Sequence, residues 1–168
     1  METKKIAGIG MMIALAFVLA YVESLLPLSF GIPGVKIGLS NLVVMVCLYR
    51  YSTKDTFGVS LVRIILVGIT FGNLYSMLYS LAGGMFSFLI MLLLKKTNRF
   101  SVYGVSMAGG VCHNMGQIVV ASLVLKTKLL VYYVPFLLIS GVLSGIAIGL
   151  VSGLLIKHLK GNDGGDFF

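Results

Sequence analysis

Acidic side chains are almost missing from this chain: Asp and Glu number 5 in 168 residues, against 13 Lys and Arg. Charged residues of both signs make up 11%, where a soluble domain carries roughly 25%. So little charge cannot cover a water-facing surface, and 58% of the residues are hydrophobic, with a mean hydropathy of +1.06. The solvent that fits this composition is lipid. A soluble enzyme, a disulfide-stapled secreted domain and a disordered chain are all excluded. Cysteine is also scarce: Cys47 and Cys112 stand inside apolar stretches, with neither CxxC nor zinc spacing, and read as packed thiols. No Walker A sequence is present, so ATP is not bound by that route. There is no aspartate-rich pair for diphosphate–magnesium chemistry; Asp55, Asp163 and Asp166 all fall away from membrane depth. A haem would call for two intramembrane histidines, and His158 lies at the end of the last apolar run. With one histidine at depth and Glu23 as the only in-membrane carboxylate, hydrolysis is poorly served. No catalytic residue, metal site or cofactor is therefore expected. The net charge of +8 would suit nucleic acid, but in a membrane chain such an excess reports orientation, and no nucleic-acid partner is expected.

What is present is a series of apolar runs: 5–26, 37–50, 54–71, 73–95, 102–125 and 130–157. A helix needs about 20 apolar residues to cross the hydrocarbon. The expectation is an all-α integral membrane protein, a bundle of six transmembrane helices. The second and third runs are short and call for tilt, breaks or re-entrant flanks. Ten-residue alternation of apolar and polar positions is absent, which excludes a β-barrel. With the N-terminus inside, the inner ends carry Lys4, Lys5, Arg50, Lys54, Lys95, Lys96, Arg99, Lys157 and Lys160, and the outer ends Lys36, Lys126 and Lys128. Both termini are thus expected in the cytoplasm. Residues 1–160 read as one transmembrane domain and 161–168 (GNDGGDFF) as a disordered tail. The first run is long and leads into no polar mature domain past a small-residue site, so a cleaved signal peptide is not expected.

Small residues form three patches. Gly141, Gly145, Gly149 and Gly153 recur every four positions in the last run, beside Ser140 and Ser144; Ala16 and Ala20 have the same spacing in the first, after Gly10 and Ala14; Ala82, Gly83 and Gly84 form the third. Such spacing leaves a groove on a helix that another helix can approach closely. Packing within the bundle and docking onto a partner membrane protein are both open for each patch. Docking gains weight for Ala16 and Ala20, since so small a chain would need partners.

Ionisable and polar groups at membrane depth are expensive and mark function by default. Arg63 falls within the third run and Glu23 near the outer end of the first. Ser40 and Asn41 lie near the outer end of the second. Asn73, Tyr75, Ser76 and Tyr79 lie near that of the fourth. His113, Asn114 and Gln117 lie in the middle and outer half of the fifth. His113 and Gln117, four apart, share a helix face, flanked by Asn114. Lys36 sits at the mouth. These groups come from five runs at one level, which suggests an outward-opening cavity that binds a ligand through Glu23, Lys36, Asn41, Arg63, Tyr75, Tyr79, His113, Asn114 and Gln117. The alternative is a set of interhelical hydrogen bonds with an Arg63–Glu23 ion pair. Pro27–Lys36 (PLSFGIPGVK) is rich in turn residues and reads equally as a lid or a tight connector.

The stretches Pro33–Asn41 (PGVKIGLSN), Arg63–Gly72 (RIILVGITFG), Tyr79–Gly84 (YSLAGG), Gly104–Gln117 (GVSMAGGVCHNMGQ) and Tyr132–Gly141 (YYVPFLLISG) resemble the Gx transporter family, labelled heptaprenyl diphosphate synthase component I. More broadly, six short helices, a small-residue face on the first and an outward pocket look like the substrate-binding (S) components of energy-coupling factor (ECF) transporters. That resemblance implies an uptake subunit of the bacterial cytoplasmic membrane. It would capture a vitamin-like, isoprenoid or quinone-like solute, then dock through the alanine-bearing first helix on a transmembrane coupling protein driven by two ATPase subunits. The family label implies instead a part in making the prenyl chain of menaquinone. Similar members are also linked with flavin-based extracellular electron transfer.

Overall fold

A computed structural model describes residues 2–25, 38–127 and 129–162, and among these all regular structure is helical. The helices are α1 (Glu2–Leu25), α2 (Leu39–Arg50), α3 (Thr53–Phe71), α4 (Leu74–Lys96), α5 (Val102–Val124) and α6 (Val134–Asn162), with a short 3-10 turn at Leu129–Tyr133 leading into α6. Lipid offers no hydrogen bonds to a bare backbone, so an apolar run in a membrane must satisfy its N–H and C=O groups internally, as a helix does. The helices begin where polar side chains stand ready to cap them. The Ser52 hydroxyl accepts from the Asp55 amide at the start of α3, the Asn73 side chain accepts from the Ser76 amide at that of α4, and the Ser101 hydroxyl accepts from the Gly104 amide at that of α5. At α4 the Ser76 hydroxyl answers by accepting from the Asn73 amide, completing a reciprocal box.

Four helical stretches are long and apolar enough to cross a membrane: Thr3–Leu25, Leu74–Lys96, Val102–Val124 and Leu129–Leu159. Their outward faces are apolar, with Met11, Val18, Leu123, Leu143 and Leu154 all exposed. The chain is a multi-pass membrane protein. The two remaining helices differ from the expected full spans. α2 has 12 residues, about 18 Å, against a hydrocarbon core of about 30 Å. Helix α3 has 19 residues and carries Lys54, Asp55 and Arg63.

The short α2 is the most enclosed element. Val43, Val44, Met45, Val46, Cys47 and Leu48 are buried in succession, so every face of the helix meets protein. It packs on α1, α3 and α6. Its Val44, Met45 and Leu48 join Phe88 and Met91 of α4, Val105 of α5 and Ile148 of α6 in one core cluster. Around it, α1 lies beside α3, and α3–α4, α4–α5 and α5–α6 are neighbours. Near the charged ends of α1 and α3, Lys5 pairs with Asp55 at 2.6 Å.

The small-residue patches face inward. A Cβ placed on Gly145 would lie 2.6 Å from the Met107 Cα, and one on Gly149 would lie 3.1 Å from the Tyr103 Cα; Gly110 and Gly141 meet backbone to backbone. The glycines of α6 are thus the seam that brings α5 close. Gly83 and Gly116 serve α4 and α5 in the same way, and Gly84 faces Ile64 of α3. Ala16 is fully buried and Ala20 nearly so; Ala16 packs with Met12, Val43, Cys47 and Val59. The chain's own α2 and α3 pack on Ala16, which is the internal-packing alternative for this patch. The expected tail is corrected at its start, because Gly161 and Asn162 continue α6; 163–168 lie outside the described residues, as does the Pro27–Lys36 connector.

Candidate functional site

The polar residues at depth gather at the start of α2. Gly38 holds a left-handed conformation, φ 75°, which glycine adopts without the penalty a side chain incurs. It turns the chain into the helix, and the Asn41 side chain folds back beside it. The Glu23 carboxylate of α1 receives both leading amides: Gly38 N–H donates to Oε1 at 2.6 Å and Leu39 N–H to Oε2 at 3.1 Å. A helix N-terminus carries about half a positive charge and unsatisfied donors, so a carboxylate from a neighbouring helix is a matching cap. At the other end of α2, the Lys95 ammonium of α4 donates to the Leu48 carbonyl at 2.5 Å and lies 5.1 Å from the centre of the Tyr49 ring. The Thr56 hydroxyl donates to the Cys47 carbonyl at 3.0 Å. An anion at one end and a cation at the other complement the dipole of this enclosed helix.

Arg63 of α3 reaches the same place. It is 6% exposed, and its Nη1 donates to the Ser40 hydroxyl in the first turn of α2 at 2.5 Å. Ten residues into α3, Arg63 sits about 15 Å from that helix's start. Ser40 stands an equal distance from Arg50, so the pair meets about 15 Å from the charged ends of α2 and α3. The Arg63 Nε is buried with no hydrogen-bond partner among the described residues. Glu23 acts on the guanidinium through its field, but among the described residues the two make no ion-pair contact, because both carboxylate oxygens are turned to α2. The Arg63–Glu23 ion pair, the alternative to a ligand cavity in the sequence, is not formed among the described residues; a capped helix and a separate cation stand there.

The other expected site residues are distributed over different surfaces. Asn114 lies between α5 and α6, its amide donating to the Leu137 carbonyl at 2.8 Å and the Ser140 hydroxyl at 3.2 Å. That bond accounts for its place as interhelical packing. His113 and Gln117 share a face, as their spacing implies, and it is turned to α4: a Cβ on Gly83 would lie 2.6 Å from the His113 carbonyl oxygen and 2.7 Å from the Gln117 Cγ. Tyr79 is half-buried, and Tyr75 is exposed at the start of α4. Lys36 lies outside the described residues. Ser40 and Gly38 became site residues only through their partners, although a glycine ahead of Leu-Ser-Asn is a readable helix-start signal. Lys95 was legible only as an orienting charge.

Together these features define a class: an all-helical, multi-pass membrane protein with a charged, hydrogen-bonded cluster enclosed at the start of α2. The chain matches the family described as heptaprenyl diphosphate synthase component I over residues 12–155, and so belongs to it. No curated protein and no solved structure matches it.

Proposed function

We propose that the chain is a membrane-embedded subunit that binds a small organic solute for uptake, in the manner of the S components of ECF transporters. The observation that supports this reading is Arg63. A buried guanidinium with an unused donor, set beside the first turn of the enclosed α2, is an expensive arrangement to keep for packing alone. In the proposed arrangement all six helices lie in the bacterial cytoplasmic membrane with both termini inside. The solute enters from the outer side and meets Arg63, Ser40 and Asn41. The chain performs no chemistry of its own. Uptake would come from a transmembrane coupling protein and two ATPases, docked on a surface other than the enclosed Ala16–Ala20 face.

The name of the family supports a second reading, a membrane partner of a prenyl-diphosphate synthase; a component of quinone- or flavin-dependent electron transfer is the remaining alternative. Purifying the tagged chain from its own bacterial membrane separates these readings. The uptake reading expects a coupling protein and ATPases among the co-purifying proteins, and a small solute in the native mass spectrum. A synthase subunit or a flavoprotein in their place, with no bound solute, would reject it.

A further inference from the structure

We infer that the group bound at Arg63 is an anion, a carboxylate or phosphate held by the guanidinium Nε, while the Ser40 hydroxyl of α2 fixes Nη1. The inference rests on the proposal that this level of the bundle takes a ligand.

It is carried by the unused donor of a buried guanidinium and by the scarcity of acids. The chain has five acidic residues: Glu2, Glu23, Asp55, Asp163 and Asp166. Glu2 opens α1 and Asp55 lies in the first turn of α3, paired with Lys5. Asp163 and Asp166 follow the end of α6. The undescribed segment 26–37 contains Lys36 and no acid. Among the described residues Glu23 is the acid whose field acts on Arg63, and each of its oxygens accepts an amide of α2. Among the described residues the guanidinium donates to one neutral hydroxyl and keeps Nε unused. A buried charge without a close partner is strongly unfavourable, and the Glu23 carboxylate is already taken up by the leading amides of α2. The Ser40 hydroxyl accepts from Nη1 and so fixes the guanidinium plane. A fixed positive charge with an unused N–H donor is what a carboxylate or phosphate oxygen requires. A metabolite and a phospholipid headgroup both present that chemistry.

The test uses the full-length protein in neutral detergent. Thermal unfolding is followed against sodium hexanoate, against hexanamide, which has the same chain without the charge, and against inorganic phosphate. Co-purified adducts are weighed by native mass spectrometry. Hexanoate or phosphate should raise the unfolding temperature saturably and hexanamide should not. Arg63→Met should weaken that response by about tenfold or more. Should Arg63→Met fail to fold, Ser40→Ala keeps the charge and should weaken the response several-fold. Equal action of hexanamide, an undiminished response in the variants, or no response to either anion would overturn the inference. The adduct's mass identifies the source. A neutral solute would overturn the anion and leave the solute-binding proposal standing. A phospholipid lost on substitution at Arg63 would support the anion and remove the uptake reading.

Discussion

Gly145 and Gly10 are both glycines inside apolar helices, and the structure separates them sharply. A Cβ on Gly10 would meet nothing within 4 Å. One on Gly145 would stand 2.6 Å from the Met107 Cα and 2.9 Å from the Ser106 carbonyl oxygen. Both obstacles are backbone of α5, which cannot rotate away as a side chain would. Carbon atoms pack at about 3.5–4.0 Å, so Gly145→Ala must push α6 from α5 by roughly 1 Å. That shift loosens the seam at Gly141 and Gly149 as well. Overpacking of this kind costs about 1–3 kcal/mol, while Ala in place of Gly returns about 1 kcal/mol of helix propensity. Gly10→Ala gains the propensity term alone. The pair should therefore differ by about 1–3 kcal/mol, Gly145→Ala being the less stable. Reversible denaturation in mixed micelles, followed by circular dichroism, would measure the gap. If Gly145→Ala were as stable as Gly10→Ala, the close α5–α6 approach would be wrong.

Three further outcomes follow from the same geometry. Asn114→Leu should destabilise the bundle by about 1 kcal/mol, the usual worth of a hydrogen bond between membrane helices, with the anion response intact; loss of that response would return Asn114 to the binding site. Glu23→Ala strips the acceptor from two amides and should cost about 1–3 kcal/mol, with faster hydrogen exchange at Gly38 and Leu39, whereas Glu23→Gln keeps one acceptor oxygen and should lose less; unchanged exchange in Glu23→Ala would refute the cap. A cysteine placed at Lys126, with Cys47 and Cys112 replaced, should react with an impermeant reagent on intact cells; reaction only after permeabilisation would invert the proposed topology.

Hydropathy and charge were enough to determine that this chain is helical and lives in lipid. Six runs bounded by Lys and Arg fall within a few residues of the six helices, because a backbone without water has to close its own hydrogen bonds and charges have to stop at the interface. The four-residue rhythm of Gly141–Gly153 likewise foretold a close helix contact. Partners were decided by tertiary structure. Lipid tails and a protein interior are equally apolar, so hydropathy did not separate α2, enclosed on all sides, from the helices that face lipid. Nor did spacing separate the neighbours of α5: His113 and Gln117 turn to α4, while Asn114, one residue along, turns to α6. The same holds for Glu23 and Arg63, opposite charges that a sequence pairs by default. Two free amides at the start of α2 compete for the carboxylate, and only the approach of α1 to that helix end shows that they win, leaving the guanidinium to find its anion elsewhere.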